Sequence, residues 1–149
     1  DAKSLFVSET GRFRILKVDL ARLSTTRSTQ GMSTVPSLKN AFDQGAVSVL
    51  IDNLPGYPDN INLASDGNYW LALVGMRGPA YDLALRMPGF RQRMAKRVPF
   101  DEWLFPNINT GCVLKFSEKG EILETLWDLG GVNHPMITSM REHQGHQEP

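Results

Sequence analysis

The chain has 149 residues, of which 41% are hydrophobic, so it is long enough and apolar enough to bury a core. Its 16 basic and 16 acidic residues balance, which removes the electrostatic reason to expect a nucleic acid or an anionic membrane as partner. The single cysteine, Cys112, excludes an internal disulfide and a cysteine-rich zinc site, and we interpret it as a buried structural thiol.

Short strand-like runs dominate the sequence. Residues 5–8 and 13–20 flank the turn signal Thr10-Gly11 and predict a hairpin. Residues 21–45 are rich in Ser, Thr, Gly and Gln without a period, and they predict a long loop. Further strands are predicted at 47–51, 61–63, 69–74, 113–116, 122–127 and 137–141.

Residues 79–98 have a different pattern, with apolar side chains at helical spacing among basic ones. They predict an amphipathic helix that is broken near Pro88-Gly89. The basic residues of the stretch are Arg86, Arg91, Arg93, Lys96 and Arg97. We interpret them as a solvated face, with contact to a membrane surface as the alternative. No run of 18 apolar residues exists, so no membrane span is predicted in this segment.

An internal repeat decides the predicted fold. Residues 1–7 resemble residues 66–72, and residues 144–146 follow a predicted strand as residues 66–68 do. Each unit is a strand, a tight polar turn, an aromatic or aliphatic strand and an outer hairpin. That order is typical of a four-stranded β-propeller blade.

We therefore predict an all-β fold, a single incomplete β-propeller domain over residues 1–149 with about two to three blades. The loop at 21–45 and the helix at 79–98 are predicted insertions, because they lengthen units that would otherwise be lean blades. A small β-sandwich or an α+β domain with coincidental turns is the alternative. The chain begins without a methionine or a signal-peptide pattern and ends where a hairpin begins, so we interpret both ends as cut.

The densest candidate for chemistry follows the turn signal Pro55-Gly56. Pro58 fixes φ just before Asp59 and Asn60, which open a predicted inner strand. In a propeller such a strand lines the central channel, and carboxylate and carboxamide oxygens there suit Ca²⁺. A divalent ion would polarise an ester or lactone carbonyl, and Asp59 is also a candidate general base if its ligation to the ion is loose. The alternative is that the pair only forms a turn.

Two blocks resemble the signature of strictosidine synthase-like proteins. They are Leu-Pro-Gly-Tyr-Pro-Asp-Asn-Ile at 54–61 and Ser-Asp-Gly-Asn-Tyr-Trp-Leu-Ala at 65–72. Weaker matches lie at 5–10, 111–116 and 137–145. The resemblance implies the six-bladed β-propeller that this family shares with gluconolactonases and paraoxonases.

The resemblance also implies roles for individual residues. In those relatives the Asp of the Pro-Asp pair binds the central metal, and in paraoxonases an Asp-Asn pair binds calcium, so Asp59 and Asn60 are the candidate metal ligands here. The other ligands, usually Asn and Glu on preceding blades, would lie before Asp1, and this segment alone is expected to be inactive. Plant strictosidine synthases carry a catalytic glutamate where Thr138 aligns, which argues against an amine–aldehyde condensation.

Two further residues are candidates for a substrate pocket. Arg77 directly follows a predicted strand, where it would hold an anionic substrate at the channel mouth, although a solvent-facing arginine is the alternative. Thr138 lies on a predicted inner strand. The leading prediction is a fragment of a calcium-dependent propeller hydrolase acting on lactone or ester-type small molecules. The alternatives are a non-catalytic binding or scaffold module and a condensing enzyme, and neither compartment nor oligomeric state is assigned.

Overall fold

Antiparallel β-strands dominate the computed structural model, which describes residues 3–23, 38–99, 102, 108–143 and 146–148. The strands are β1 (Ser4–Glu9), β2 (Arg14–Asp19), β3 (Val47–Ile51), β4 (Gly56–Leu63), β5 (Tyr69–Met76), β6 (Gly111–Phe116), β7 (Ile122–Asp128), β8 (Arg141–His143) and β9 (His146–Glu148). The helices are α1 (Leu38–Asp43), α2 (Pro79–Arg86) and α3 (Pro88–Ala95). The predicted all-β class is confirmed.

The described strands form three separate antiparallel sheets. Sheet 1 has the order β1-β2-β3, sheet 2 the order β4-β5-β6-β7, and sheet 3 pairs β8 with β9. In each sheet the spatial order follows the chain order, because successive strands are joined as hairpins or through local insertions. The described sheets do not close into a ring, so the propeller itself stays a prediction.

The main core lies between sheet 1 and sheet 2. In β5 the alternation of a strand points Leu71 and Leu73 toward sheet 1 and Trp70 and Ala72 toward the opposite face. The buried residues of this core are Phe13, Ile15, Ile51, Leu54, Tyr57, Leu71, Leu73, Cys112, Leu114 and Phe116. The predicted burial of Cys112 is confirmed.

Sheets 1 and 2 also pack side chains on their second faces, the faces that point away from the main core. On sheet 2 that face packs Trp70 and Val113 against Met140, which comes from the segment leading to β8. On sheet 1 it packs Leu16 and Val47 against α1. The second face of each large sheet is therefore covered only in part, and Leu5, Val7 and Val49 of sheet 1 stay exposed there.

The predicted loop at 21–45 is wrong in part, because α1 lies within it. Ala41 of this helix is buried against Leu16 and Val47 of sheet 1. A six-residue helix has too few turns to show a period in sequence, and its stability comes from this tertiary packing. Residues 24–37 of the predicted loop lie outside the described residues.

The predicted strand at 137–141 is also wrong over most of its length, because regular pairing begins only at Arg141. Residues 137–140 instead lie beside β4 and bond to it at single points. A regular ladder would need an unbroken edge on β4, and the bulge described below interrupts that edge.

Helices lie in the predicted stretch 79–98, with the predicted break between α2 and α3. Met87 has the non-helical dihedrals φ −121° and ψ 85°, and Pro88 is the first residue of α3. Proline restricts the residue before it and lacks the N–H of a helix interior, so the chain ends one helix and begins another here. Among the described residues, no helix combines the length and apolar character needed to cross a membrane.

Candidate functional site

The two predicted metal ligands, residues 59–60, lie in a β-bulge of β4. Pro58 pairs with Leu73 and Ile61 pairs with Leu71, so three steps along β4 oppose two steps along β5. The extra residue of β4 therefore lies at positions 59–60. A bulge turns side chains away from the regular in-and-out alternation, and bulges are common beside functional sites.

Hydroxyl groups of sheet 1 stabilise the bulge. The Ser8 Oγ donates a hydrogen bond to the carbonyl oxygen of Asp59 at 2.5 Å, and the Thr10 Oγ1 donates to that of Pro58 at 2.8 Å. Carbonyl groups that lose their ladder partners at a bulge need other donors. These two hydroxyls supply them, so the local backbone is fixed without using the Asp59 side chain.

Asn60 is fixed from the other side by Thr138. Its backbone nitrogen and its Nδ2 both donate to the Thr138 carbonyl oxygen, at 3.2 and 2.8 Å. Because Nδ2 is engaged in this way, the carboxamide oxygen of Asn60 is the atom left for a ligand. The half-buried Asp59 carboxylate makes no hydrogen bond or ion pair within the part of the chain that the structure describes.

The donor atoms fit a hard cation, but only as part of a site. Ca²⁺ takes six to eight oxygen ligands, and Asp59 and Asn60 would provide two of them. Over residues 3–23, 38–99 and 108–143, the structure holds no group of three or more His, Cys, Asp or Glu side chains that could bind a metal. Further ligands would have to come from outside this set.

Thr138 lies beside the bulge through its backbone rather than its side chain. The residue is exposed, and its carbonyl oxygen is the acceptor that holds Asn60. Its neighbour Ser139 accepts a hydrogen bond from the Nδ2 of Asn62 at 3.0 Å. The structure therefore brings Thr138 to the predicted metal ligands, and its role in a substrate pocket stays a prediction.

Arg77 lies elsewhere. Its backbone nitrogen donates to the carbonyl oxygen of Pro55 at 3.0 Å, so it is level with a residue four positions before Asp59. At the rise of a β-strand this corresponds to roughly 13 Å along β4. Its guanidinium contacts Asp82 and Asn53 instead. The structure does not bring Arg77 together with the other three predicted site residues.

A polar network on the second face of sheet 2 was not predicted as a unit. The Glu142 carboxylate accepts from the Trp70 Nε1 at 2.6 Å and from the Ser65 backbone nitrogen at 2.7 Å. The Lys115 Nζ lies 3.7 Å from Glu142 and 2.8 Å from Asp66. Hydrogen bonds from Ser65 and then Trp70 lower the pKa of Glu142 from 4.5 to about 2.

This network positions the segment that holds Asn60. Glu142 follows Thr138 by four residues, so anchoring it to sheet 2 also places the Thr138 carbonyl. The sequence did carry a signal, since Glu142 lies within a block that matches the family. Lys115 also lies within a matching block, but the sequence did not indicate their pairing, because Lys115 lies on β6 and meets Glu142 only after folding.

Comparisons with known proteins agree on one family. Adipocyte plasma membrane-associated protein from Salmo salar is 26% identical over 150 residues, which covers 98% of this chain and 32% of that protein. Strictosidine synthase-like 10 from Arabidopsis thaliana is 28% identical over 171 residues, covering 97% of this chain and 45% of that protein. The Bos taurus adipocyte plasma membrane-associated protein is 29% identical over 107 residues, or 69% of this chain and 26% of its own length.

The chain thus spans less than half the length of these relatives. No protein-family model and no solved structure matches the chain. The first two of these relatives match almost the whole chain, and the third matches 69% of it. The chain is therefore related to the strictosidine synthase-like family.

Proposed function

We propose that the chain is part of a six-bladed β-propeller that binds Ca²⁺ in its central channel and hydrolyses lactone or ester-type small molecules. The strand pattern supports the propeller. Sheet 2 has the four strands of one blade, and sheet 1 corresponds to β5-β6-β7 because residues 1–7 repeat residues 66–72. Sheet 3 pairs two strands at the place where a third unit would begin.

The exposed face of sheet 1 also supports this arrangement. Leu5, Val7 and Val49 point away from sheet 2, with exposed fractions of 53%, 38% and 42%. A propeller blade buries both of its faces against neighbouring blades. In the proposed ring, a blade preceding residue 1 would cover these three side chains.

The observation that carries the functional proposal is the bulge in β4. It lies on the edge strand of sheet 2, which would be the innermost strand of the blade. The backbone of the bulge is held by Ser8, Thr10 and Thr138, while the Asp59 carboxylate has no partner among the described residues. A carboxylate kept unpaired on a fixed backbone is suited to a ligand rather than to stability.

The proposed chemistry divides between the ion and the protein. When bound, Ca²⁺ would polarise the substrate carbonyl and stabilise the negative charge that develops on its oxygen. Asp59 and the carboxamide oxygen of Asn60 would hold the ion. Asp59 would also accept a proton from the water that attacks the carbonyl carbon. It would return this proton to the leaving alkoxide oxygen as the C–O bond breaks, which gives an acid and an alcohol from an ester and a hydroxy acid from a lactone.

Calcium binding is tested by thermal unfolding of the full-length protein with CaCl₂ and with a chelator. A ligand at 100 times its Kd stabilises the native state by about 2.7 kcal/mol, which raises Tm measurably. We expect this rise in the wild type and in Asp43→Ala, a matched control on the exposed side of α1. Asp59→Ala should lose it, and an equal rise in Asp59→Ala would overturn the ligand assignment.

Hydrolysis is tested separately with a γ-lactone and a p-nitrophenyl ester. Asp59→Ala and calcium removal should each lower kcat/KM by at least about 100-fold, as for loss of a main electrostatic contribution. Calcium-dependent stabilisation without any hydrolysis would favour the alternative, a non-catalytic binding module. A condensing enzyme of the strictosidine type is disfavoured because Thr138 has no acid–base group.

A further inference from the structure

A cleft of about 590 Å³ lies beside the start of β4, away from the bulge. Its walls come from three separate parts of the chain, the turn before β2, the loop before β4 and the α2–α3 insertion. Four arginines line it, accompanied by Phe13 and Leu85; they are Arg12, Arg14, Arg77 and Arg91. Such a concentration of guanidinium groups in one concavity is suited to an anion.

Arg14 is held in place before any ligand arrives. Its Nε lies 2.5 Å from Oε2 of Glu9, and the other oxygen of the same carboxylate lies 3.2 Å from the Nε of Arg12. Both contacts use Nε, so the terminal Nη groups are the donors left for the cleft. The Arg14 side chain is only 19% exposed, which limits its freedom further.

Arg77, which also lines the cleft, is held in the same manner. Its Nε lies 2.5 Å from Oδ1 of Asp82, its Nη1 donates to Oδ1 of Asn53 at 2.7 Å, and its guanidinium lies 4.6 Å from the centre of the Phe13 ring. Three contacts fix the plane of the group and leave its Nη2 edge uncommitted. A guanidinium fixed in this way loses little entropy when it binds a planar anion.

The charge balance narrows the class of ligand. The four arginines face three nearby carboxylates, those of Glu9, Asp52 and Asp82, which leaves a formal excess of one positive charge. A monoanion matches this excess better than a phosphate dianion does. Leu85 adds an exposed apolar wall, which favours a ligand with a hydrocarbon part.

We propose that this cleft binds a small organic carboxylate, with its head group between Arg14 and Arg77 and its apolar body along Leu85. Two rigid guanidinium groups offer the paired N–H donors that a carboxylate accepts. The site is separate from the bulge, since Arg77 is level with Pro55 rather than with Asp59. The proposal therefore does not depend on calcium binding or on hydrolysis.

Isothermal titration of the full-length protein with octanoate tests the proposal, with 1-octanol and inorganic phosphate as comparison probes. Octanoate should bind more tightly than either, and its affinity should fall with added NaCl. Arg14→Gln and Arg77→Gln should each weaken it at least about 10-fold, the loss expected for one charge-assisted pair. Arg93→Gln should leave the octanoate affinity unchanged. The substitution removes the same charge, but Arg93 is exposed on α3 and does not line the cleft.

Arg12→Gln tests the cleft even if Arg14→Gln or Arg77→Gln fails to fold. The Arg12 side chain lines the same cleft and is 65% exposed, so its replacement should not disturb the fold. Arg12→Gln should weaken octanoate binding by roughly 3-fold without lowering Tm, because an exposed charge is partly screened by solvent. Unchanged octanoate affinity in Arg14→Gln, in Arg77→Gln or in Arg12→Gln would overturn the proposal. Equal binding of 1-octanol, or tighter binding of phosphate, would overturn it as well.

Discussion

The Trp70 Nε1 donates a hydrogen bond to Oε1 of Glu142 at 2.6 Å, and the two residues are 72 positions apart in the chain. This bond ties β8, and with it the segment that precedes β8, to sheet 2, where no regular strand pairing does so. Trp70 is buried, so its indole N–H needs an acceptor inside the protein. The same segment supplies the Thr138 carbonyl that holds Asn60, which links the stability of this contact to the candidate metal site.

The first prediction concerns acid stability. The pKa of Glu142 is 4.5 as a free side chain and about 2 in the folded protein, so its ionised form stabilises the fold above pH 4.5. That contribution should fall as pH drops from 4.5 toward 2. Glu142→Gln should be less stable than wild type at pH 7, and the gap should narrow below pH 4.5. Urea unfolding at several pH values measures this difference in the free energy of unfolding.

Glu121→Gln serves as the control for this experiment, because it removes the same charge from an exposed turn. Its stability should follow that of the wild type at every pH. A gap between wild type and Glu142→Gln that stays constant down to pH 2 would contradict the assignment of the pKa shift to this network.

The second prediction compares two glycines with the same backbone conformation. Gly67 and Gly120 have φ values of 84° and 85°, but a Cβ on Gly67 would meet open space and one on Gly120 would lie 2.6 Å from the carbonyl oxygen of Leu50. Both alanine variants should lose about 1–2 kcal/mol from the left-handed backbone. Gly120→Ala should lose roughly 1–3 kcal/mol more from overpacking against β3. Equal losses in urea unfolding would mean that the β6–β7 turn does not pack on sheet 1.

The third prediction concerns the reactivity of Cys112. Burial raises the pKa of its thiol to about 12, and its side chain is inaccessible in the main core. Iodoacetamide at pH 8 should therefore not modify the native protein, but should modify it fully in 6 M urea. Mass spectrometry measures the labelled fraction. Rapid labelling without denaturant would show that the core between the two large sheets opens readily.

The fourth prediction tests how Asn60 is held. Asn60→Ala removes the bond from Nδ2 to the Thr138 carbonyl and should cost about 0.5–1.5 kcal/mol. Asn60→Asp should be less stable still without metal, because it replaces the donor with a carboxylate oxygen facing that carbonyl. Thermal unfolding in a chelator measures both. An Asn60→Asp variant as stable as wild type in the chelator would contradict the observed geometry.

Local sequence signals were sufficient to predict secondary structure wherever a residue's neighbours in sequence are also its neighbours in space. The hairpin around Thr10 and Gly11, the buried run of β5 and the break at Pro88 all follow from alternation, turn residues and the missing proline N–H. α1 was missed because its support is distant, coming from Leu16 and Val47 on sheet 1.

The candidate site shows the same division. The sequence determined that oxygen-bearing side chains follow Pro58, since side-chain type and proline stereochemistry are properties of the local chain. Only the tertiary structure decided that these residues form a bulge, that Thr138 lies beside them and that Arg77 belongs to a separate arginine-lined cleft. Strand register and contacts between segments some 70 residues apart depend on how whole sheets pack, and no local pattern encodes that packing.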